Sequence, residues 1–263
     1  MARVLALSSH VARGCVGLAA TVPALQWLGH EVWALPTIVL ASRPGLGRLV
    51  RHDLPPPDLD AMLGALEADG CWPSLEAVFT GYFPSPQSVA IAARAIARIK
   101  AVNPKALVLV DPVLGDAGRL YISRETAEAI RDQLLPLATI ATPNLFELQW
   151  LTGTAAAARD DIARTAHTLG PPMTIVTSAL QTPESIATLL VAAGAFLELS
   201  VPVRSGIPNG AGDLLAGLLL GHLLNGHATE AALDASLQNL DRVLAASAGR
   251  PVLQTAALIT GSP

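Results

Sequence analysis

Short apolar runs that favour β-strands alternate with longer helical patterns through most of this 263-residue chain. Such alternation is typical of parallel strands joined by crossover helices, because each helix returns the chain to the same end of the sheet. Continuous apolar runs also indicate a sheet that helices cover on both faces. The predicted strands are residues 4–8, 31–34, 77–80, 106–110, 139–141 and 174–177.

Helical patterns fill the intervals between these strands. Asp58 and Ser123 each precede an apolar periodic run, where a side-chain oxygen accepts a hydrogen bond from an otherwise unpaired backbone N–H. The predicted helices are residues 16–28, 58–68, 88–100, 123–134 and 156–169.

The pattern changes after Pro183, where two apolar runs at 185–192 and 195–201 flank Ala193 and Gly194. This arrangement predicts an antiparallel hairpin at one edge of the sheet. Two further helices are predicted, over residues 212–224 and 229–248. Because no repeat, low-complexity tract or linker interrupts the chain, we predict one α/β domain over residues 1–263 with a mostly parallel central sheet.

Composition excludes several classes of protein. Hydrophobic residues make up 51% of the chain, but prolines and polar residues interrupt its uncharged runs before they reach the length of a membrane-spanning helix. The net charge is −4 and Lys100 and Lys105 are the only lysines, so we expect neither nucleic acid nor membrane as a partner. Cys15 and Cys71 are too few for a disulfide framework, and the first residues lack a signal-peptide pattern, so we expect a cytoplasmic protein.

The strongest local motif runs from Pro208 to Asp213 and leads into an apolar helical pattern. Its glycines allow several backbone N–H groups to face one anion at the start of a helix. An acid at this place can take a proton from a hydroxyl that attacks a bound phosphate. The alternative is that Asn209 and Asp213 only cap and begin an ordinary helix.

Two more polar clusters follow predicted strands. Asp111 and Asp116 come directly after the run that ends at Val110, and ligands bind at the carboxyl ends of strands in sheets of this kind. Asn144 and Glu147 follow the strand at 139–141 and would share one face of a helix, where their oxygens could hold Mg²⁺. The alternative for this cluster is that Thr142 and Pro143 form a simple helix cap.

Taken together, these motifs resemble those of the pyridoxal kinases, which belong to the ribokinase-like superfamily. The resemblance extends from about residue 4 to residue 248. The residues that carry it are, in chain order, Ser8 to Val11 with Gly14 and Gly17, Thr80 to Tyr82, Asp111 to Asp116, Thr142 to Asn144 with Glu147, Thr177 with Ser178, and Gly210 to Asp213.

The resemblance implies a ribokinase-like three-layer α/β/α sandwich that transfers the γ-phosphate of ATP to the 5′-hydroxymethyl group of pyridoxal. It implies Mg²⁺, a monovalent cation such as K⁺, and a homodimer. By position, Asp213 resembles the catalytic base and the amides of Gly210, Ala211 and Gly212 resemble the anion hole.

The remaining roles also come from the resemblance. The residues implied on the cation side are Asp111, Thr142 and Glu147. Those implied in nucleotide binding are Asp111, Asp116, Asn144, Glu147, Thr177 and Ser178. Those implied in substrate binding are Ser9, Tyr82, Asp213 and the residue at the position of Pro44.

Pro44 departs from the family pattern. Where the family usually has a threonine, proline offers neither a hydroxyl nor an N–H, and Leu18 replaces a common asparagine. The segment 43–51, called the flap below, contains Pro44 and two glycines. A related kinase for hydroxymethylpyrimidine or another small hydroxymethyl heterocycle therefore stays open, as does a non-catalytic ligand-binding protein of the same fold.

Overall fold

A computed structural model describes residues 1–193 and 195–259. This part of the chain contains eleven strands and eight α-helices. The strands are β1 Arg3–Arg13, β2 Glu31–Ser42, β3 Arg51–Asp53, β4 Ala77–Thr80, β5 Leu107–Val110, β6 Gly115–Asp116, β7 Arg119–Leu120, β8 Ile140–Ala141, β9 Met173–Gln181, β10 Ser185–Ala192 and β11 Ala195–Pro202. The helices are α1 Leu18–Trp27, α2 Pro56–Ala68, α3 Pro86–Val102, α4 Arg124–Ala129, α5 Leu145–Thr152, α6 Arg159–His167, α7 Ala211–Leu224 and α8 Thr229–Ser247.

Nine of these strands form one sheet in the order β11-β10-β9-β8-β5-β4-β1-β2-β3. The six strands from β9 to β2 run parallel. β10 and β11 form the predicted antiparallel hairpin at one edge, with Gly194 of its connection outside the described residues. The parallel strands therefore bring their carboxyl ends, and the residues that follow them, to one side of the sheet.

Helices cover both faces of the sheet. Val4 and Ala6 point into a core with α1, α7 and α8, whereas Leu5 and Leu7 point into a second core with α2 and α3. This alternation follows from the two-residue period of a strand. The predicted three-layer α/β/α architecture is confirmed. No helix in the two described stretches is long and apolar enough to cross a membrane.

Several element boundaries differ from the sequence prediction. The first two strands extend far beyond the predicted ends, because they pair with each other as far as Arg13 and Ser42. β3 and the two-stranded β6–β7 hairpin were not predicted. They are short and polar and therefore show no apolar alternation.

The helix starts also differ. α2 begins at Pro56 without a side-chain cap, so the prediction of Asp58 as its N-cap is wrong; Asp58 lies in the first turn instead. Ser123 does cap α4, because its hydroxyl accepts a hydrogen bond from the Thr126 N–H. The predicted helix at 123–134 continues beyond α4 as one π-helical turn, Ile130–Leu134.

Candidate active site

The loop before α7 approaches the loop after β1 so closely that it needs glycine. Gly210 has φ of 112°, and a Cβ atom there would lie 1.9 Å from the Cys15 carbonyl oxygen. Gly210 is the N-cap of α7 and no side chain caps this helix, so neither Asn209 nor Asp213 is its N-cap, and Asp213 lies in the first turn instead. The amides of Gly210, Ala211 and Gly212 therefore have no partner from a side-chain cap and can bind an anion.

Asp213 lies in the first turn of α7. Its carboxylate accepts hydrogen bonds from the Gly17 N–H and from its own N–H, which favour the ionised form. Burial has the larger effect and raises the pKa of Asp213 to about 6. The Asp213 carbonyl oxygen also accepts a hydrogen bond from the Thr21 hydroxyl of α1 at 3.1 Å. The starts of α1 and α7 thus fix a carboxylate that is ionised at neutral pH.

Asp111 and Thr142 follow the neighbouring parallel strands β5 and β8. The Thr142 hydroxyl donates to Asp111 Oδ1 at 2.8 Å, and both residues are buried. Burial, together with the negative charge of Asp213, raises the pKa of Asp111 to about 7. The fold therefore brings Asp111, Thr142 and Asp213, which are far apart in sequence, into one polar cluster.

Asn144 and Glu147 form a capping box at the start of α5. The Asn144 side chain accepts a hydrogen bond from the Glu147 N–H, and Glu147 Oε2 accepts one from the Asn144 N–H at 2.8 Å. Glu147 Oε1 accepts two more, from the N–H groups of Leu114 at 2.9 Å and Gly115 at 3.3 Å. Glu147 thus ties α5 to the loop that carries Asp111, and burial raises its pKa to about 8.

Replacing Glu147 by alanine would leave three N–H groups without an acceptor, those of Leu114 and Gly115 buried and that of Asn144 half-buried. We expect Glu147→Ala to lower the free energy of unfolding by about 3 kcal/mol or more. Glu147→Gln keeps one acceptor oxygen, so its loss should be smaller. Urea unfolding followed by circular dichroism measures both. Glu184→Ala, at an exposed position, is the control, and an equal effect of Glu184→Ala and Glu147→Ala would contradict the anchoring role.

The β6–β7 hairpin places Asp116 at its turn. Asp116 is exposed, and its Oδ1 accepts a hydrogen bond from the Ala117 N–H at 2.7 Å. The Asn144 amide donates to the Gly115 carbonyl oxygen at 2.9 Å, which holds the hairpin beside α5. Asp116 therefore lies at the solvent side of the cluster formed by Asp111 and Glu147.

Thr177 and Ser178 lie at an irregular point of β9. Thr177 forms an isolated bridge to Asn144, and its N–H donates to the Pro143 carbonyl oxygen at 2.9 Å. Ser178 has φ of 49°, which is unfavourable for serine, and the register with β10 shifts at this point. Bulges and strained residues cluster beside functional sites. Ser178 is exposed there, next to the strand ends that carry Thr142 and Asn144.

The residues assigned to substrate binding lie at the end of the sheet around β1 and β4. Ser9 is buried, and its carbonyl oxygen and hydroxyl contact Gly17, whose Cβ would clash with both. The Tyr82 N–H donates to the Ser8 hydroxyl at 3.1 Å, and the Tyr82 ring packs against the cluster of Val11 and Ile38. Ser9 and Asp213 are thus both in contact with Gly17 and share one end of the site.

The structure does not bring Pro44 into that packed group. Pro44 is exposed at a turn of the flap, between β2 and β3. The Tyr82 hydroxyl instead meets the Arg51 guanidinium at the other end of the flap. Two groups that hold Asp213 have little or no signal in the sequence. Gly17 belongs to a glycine motif, but no local pattern indicates Thr21, because both residues contact Asp213 far along the chain.

A divalent cation at the cluster of Asp111 and Thr142 would need further ligands from water or from substrate phosphates. In the part of the chain that the structure describes, no three His, Cys, Asp or Glu side chains are grouped to hold a metal ion. Mg²⁺ is commonly bound by one or two carboxylates together with water and substrate phosphates. The buried Asp111 carboxylate and Thr142 hydroxyl match that smaller donor set.

Comparison with known proteins identifies the family. The phosphomethylpyrimidine kinase family model matches residues 25–254. The pyridoxal kinase PdxY of Granulibacter bethesdensis is 37% identical over 233 residues, which cover 84% of this chain and 82% of that protein.

Solved structures agree with this result. The pyridoxal kinase of Entamoeba histolytica superimposes with a TM-score of 0.92 at 27% identity, covering 99% of this chain and 95% of that one. The Leishmania donovani pyridoxal kinase in complex with ADP and pyridoxamine gives a TM-score of 0.88 at 28% identity, covering 98% and 92%. The chain therefore belongs to the pyridoxal kinase family.

Proposed function

We propose that this protein is an ATP-dependent pyridoxal kinase that phosphorylates the 5′-hydroxymethyl group of pyridoxal to give pyridoxal 5′-phosphate. The observation that carries the proposal is the position of Asp213 in the first turn of α7, beside uncapped amides and in contact with Gly17. A base and an anion-binding site in one turn are the two groups that phosphoryl transfer to an alcohol requires.

Asp213 acts as the general base. Its carboxylate accepts the proton of the substrate hydroxyl while that oxygen forms a bond to the γ-phosphorus. The bond between this phosphorus and the bridging oxygen breaks, and its electron pair leaves with ADP. The amides of Gly210, Ala211 and Gly212 stabilise the negative charge on the transferred group. Ser9 and Tyr82 orient the pyridine ring of the acceptor.

Nucleotide binding is assigned to the other strand ends. Asp116, Asn144, Thr177 and Ser178 line the edge along which ATP would lie. Asp111 and Thr142 would hold Mg²⁺ and a monovalent cation such as K⁺, and Glu147 would support them by fixing the loop after β5. Bound Mg²⁺ supplies charge neutralisation on the phosphates.

The raised pKa of Asp213 predicts how activity depends on pH. The ionised carboxylate is the active form, and its pKa is about 6. The kcat/KM for the acceptor should therefore be constant above this pH and fall about tenfold per pH unit well below it. Steady-state rates between pH 3.5 and pH 8, in buffers of constant ionic strength, measure this profile. An acidic limb centred near pH 4 would contradict the assignment.

Acceptor specificity tests the proposal as a whole. A coupled ADP-release assay with pyridoxal, pyridoxine, pyridoxamine and hydroxymethylpyrimidine should show the highest kcat/KM with pyridoxal. Two observations favour hydroxymethylpyrimidine as a second candidate: the family model that matches, and Pro44 in place of threonine. A preference for hydroxymethylpyrimidine would select the second candidate. No stimulation by any acceptor would favour a non-catalytic binding protein.

We also propose that the protein acts as a cytoplasmic homodimer of single-domain chains. Both cysteines are free, Cys15 buried and Cys71 half-buried, which is consistent with a reducing compartment. Sedimentation equilibrium should give twice the 27.2 kDa mass of one chain. A mass of one chain at micromolar concentration would contradict the dimer.

A further inference from the structure

Arg43 connects the flap to two other segments. It follows β2 directly, and its N–H donates to the Arg13 carbonyl oxygen at the end of β1 at 3.0 Å. Its Nη1 donates to the Pro44 carbonyl oxygen at 3.0 Å and its Nη2 to that of Pro251 at 3.1 Å. The backbone N–H of Arg43 thus joins the flap to the end of β1, and its side chain joins the flap to the segment after α8.

The aliphatic stem of Arg43 packs on the loop between β1 and α1. A Cβ atom at Gly14 would lie 3.1 Å from both Cβ and Cγ of Arg43. The next residue is Cys15, whose carbonyl oxygen presses on Gly210. Arg43 therefore packs on Gly14, the residue next to Cys15, which in turn contacts the loop before α7.

The Arg43 guanidinium also contacts Pro251, which lies close in sequence to a second neighbour of Gly210. Leu253 is buried, and its Cδ1 lies 3.1 Å from the position of a Cβ on Gly210. Pro251 is two residues away from it. Arg43 thus contacts the neighbours of both groups that confine Gly210 at the start of α7.

The Nε atom of Arg43 is buried and has no hydrogen-bond partner within the two described stretches. A buried donor without an acceptor destabilises the folded state, so it persists only where other contacts hold it. The bonds of the two Nη atoms and the packing on Gly14 supply those contacts. This arrangement fixes the guanidinium in one place.

We propose that Arg43 is a positioning residue for phosphoryl transfer, an inference that rests on the proposed kinase function. By holding the Gly14–Cys15 segment and the Pro251–Leu253 segment in place, it keeps Gly210 confined and the amides of α7 directed at the transferred group. Arg43 does not touch the reacting atoms in this scheme. The contacts of Arg43 with Gly14 and Pro251 also hold the flap in position.

Three variants test the proposal: Arg43→Ala, Arg43→Lys and, as a control in the same flap, Arg48→Ala at an exposed position. We expect Arg43→Ala to lower kcat about tenfold with KM for ATP and acceptor nearly unchanged, because the lost support acts on the transition state. Arg43→Lys should recover part of kcat, since its ammonium can still donate to the Pro251 carbonyl oxygen. A residue with only a structural role would lower the melting temperature without this kcat-specific loss.

Hydrogen exchange followed by mass spectrometry gives a readout that does not need turnover. Arg43→Ala should accelerate exchange in residues 14–17 and 208–213, whereas Arg48→Ala should not. Equal kcat in the alanine variants at positions 43 and 48, or unchanged exchange in those segments, would overturn the proposal. If the unmodified protein phosphorylates no acceptor, the proposed function fails, and the exchange result alone then decides whether Arg43 holds these loops.

Discussion

Asp213→Asn is expected to reduce kcat for pyridoxal phosphorylation by about 10³-fold, the middle of the range for loss of a general base. Asparagine has the shape of aspartate and keeps an oxygen for the Gly17 N–H, but it does not accept the substrate proton. ATP binding should largely persist, because the nucleotide is assigned to other residues. A coupled ADP-release assay measures kcat, and titration calorimetry measures ATP affinity.

The melting temperature of Asp213→Asn shows whether its loss of kcat comes from the missing base or from unfolding. The pKa of Asp213 is raised from 3.8 to about 6 in the folded protein, so the folded state binds its proton more tightly than the unfolded state does. This contribution to stability is present below the unfolded pKa and is lost as the pH rises through about 6. Removing the charge by Asp213→Asn should therefore maintain or raise the melting temperature at pH 8.

A control and an opposing outcome complete this experiment. Asp58→Asn changes an exposed carboxylate in α2 and should leave kcat unaltered. If Asp213→Asn turned over as fast as the unmodified protein, Asp213 would not be the base.

Gly210→Ala is expected to produce the second largest loss. The new methyl group would lie 1.9 Å from the Cys15 carbonyl oxygen, on a residue whose φ of 112° is already unfavourable for alanine. Either the loop after β1 or the start of α7 must move. The amides would then miss the transferred group, which predicts a kcat lower by about 10²-fold, as for removal of one oxyanion donor.

The comparison for this variant is Gly64→Ala. Gly64 lies within α2, and a Cβ atom there would meet nothing within 4 Å. We therefore expect Gly64→Ala to keep full activity and to raise the melting temperature slightly. Steady-state kinetics and thermal unfolding of both variants measure the difference. Full activity of Gly210→Ala would contradict the close approach of the two loops.

The sequence predicted the parallel sheet well but not the lengths of its strands. β1 was expected to stop at Ser8, because the polar residues Ser9 and His10 interrupt the apolar run. In the structure, β1 continues to Arg13 beside β2. Ladder hydrogen bonds use backbone groups, so pairing with a neighbouring strand extends a strand through polar residues.

The candidate site likewise has features that the local sequence predicts and features that only the structure shows. Local sequence identified Asp111, Thr142 and Glu147 as polar residues at strand ends. Local sequence could not show that Glu147 accepts hydrogen bonds from the N–H groups of Leu114 and Gly115, which lie 33 and 32 residues earlier in the chain. Such partners become neighbours only when β5 and β8 align.

By itself, the sequence determined the fold class, the order of strands and helices along the chain, and the strand ends where polar residues gather, because periodicity and turn chemistry are local properties. Only the tertiary structure decided which of those residues meet. Gly17 reaches Asp213, Arg43 reaches Pro251 across 208 residues, and Gly210 packs on Cys15. Contacts of this kind depend on how the helices pack on the sheet, since chain separation alone does not specify distance in space.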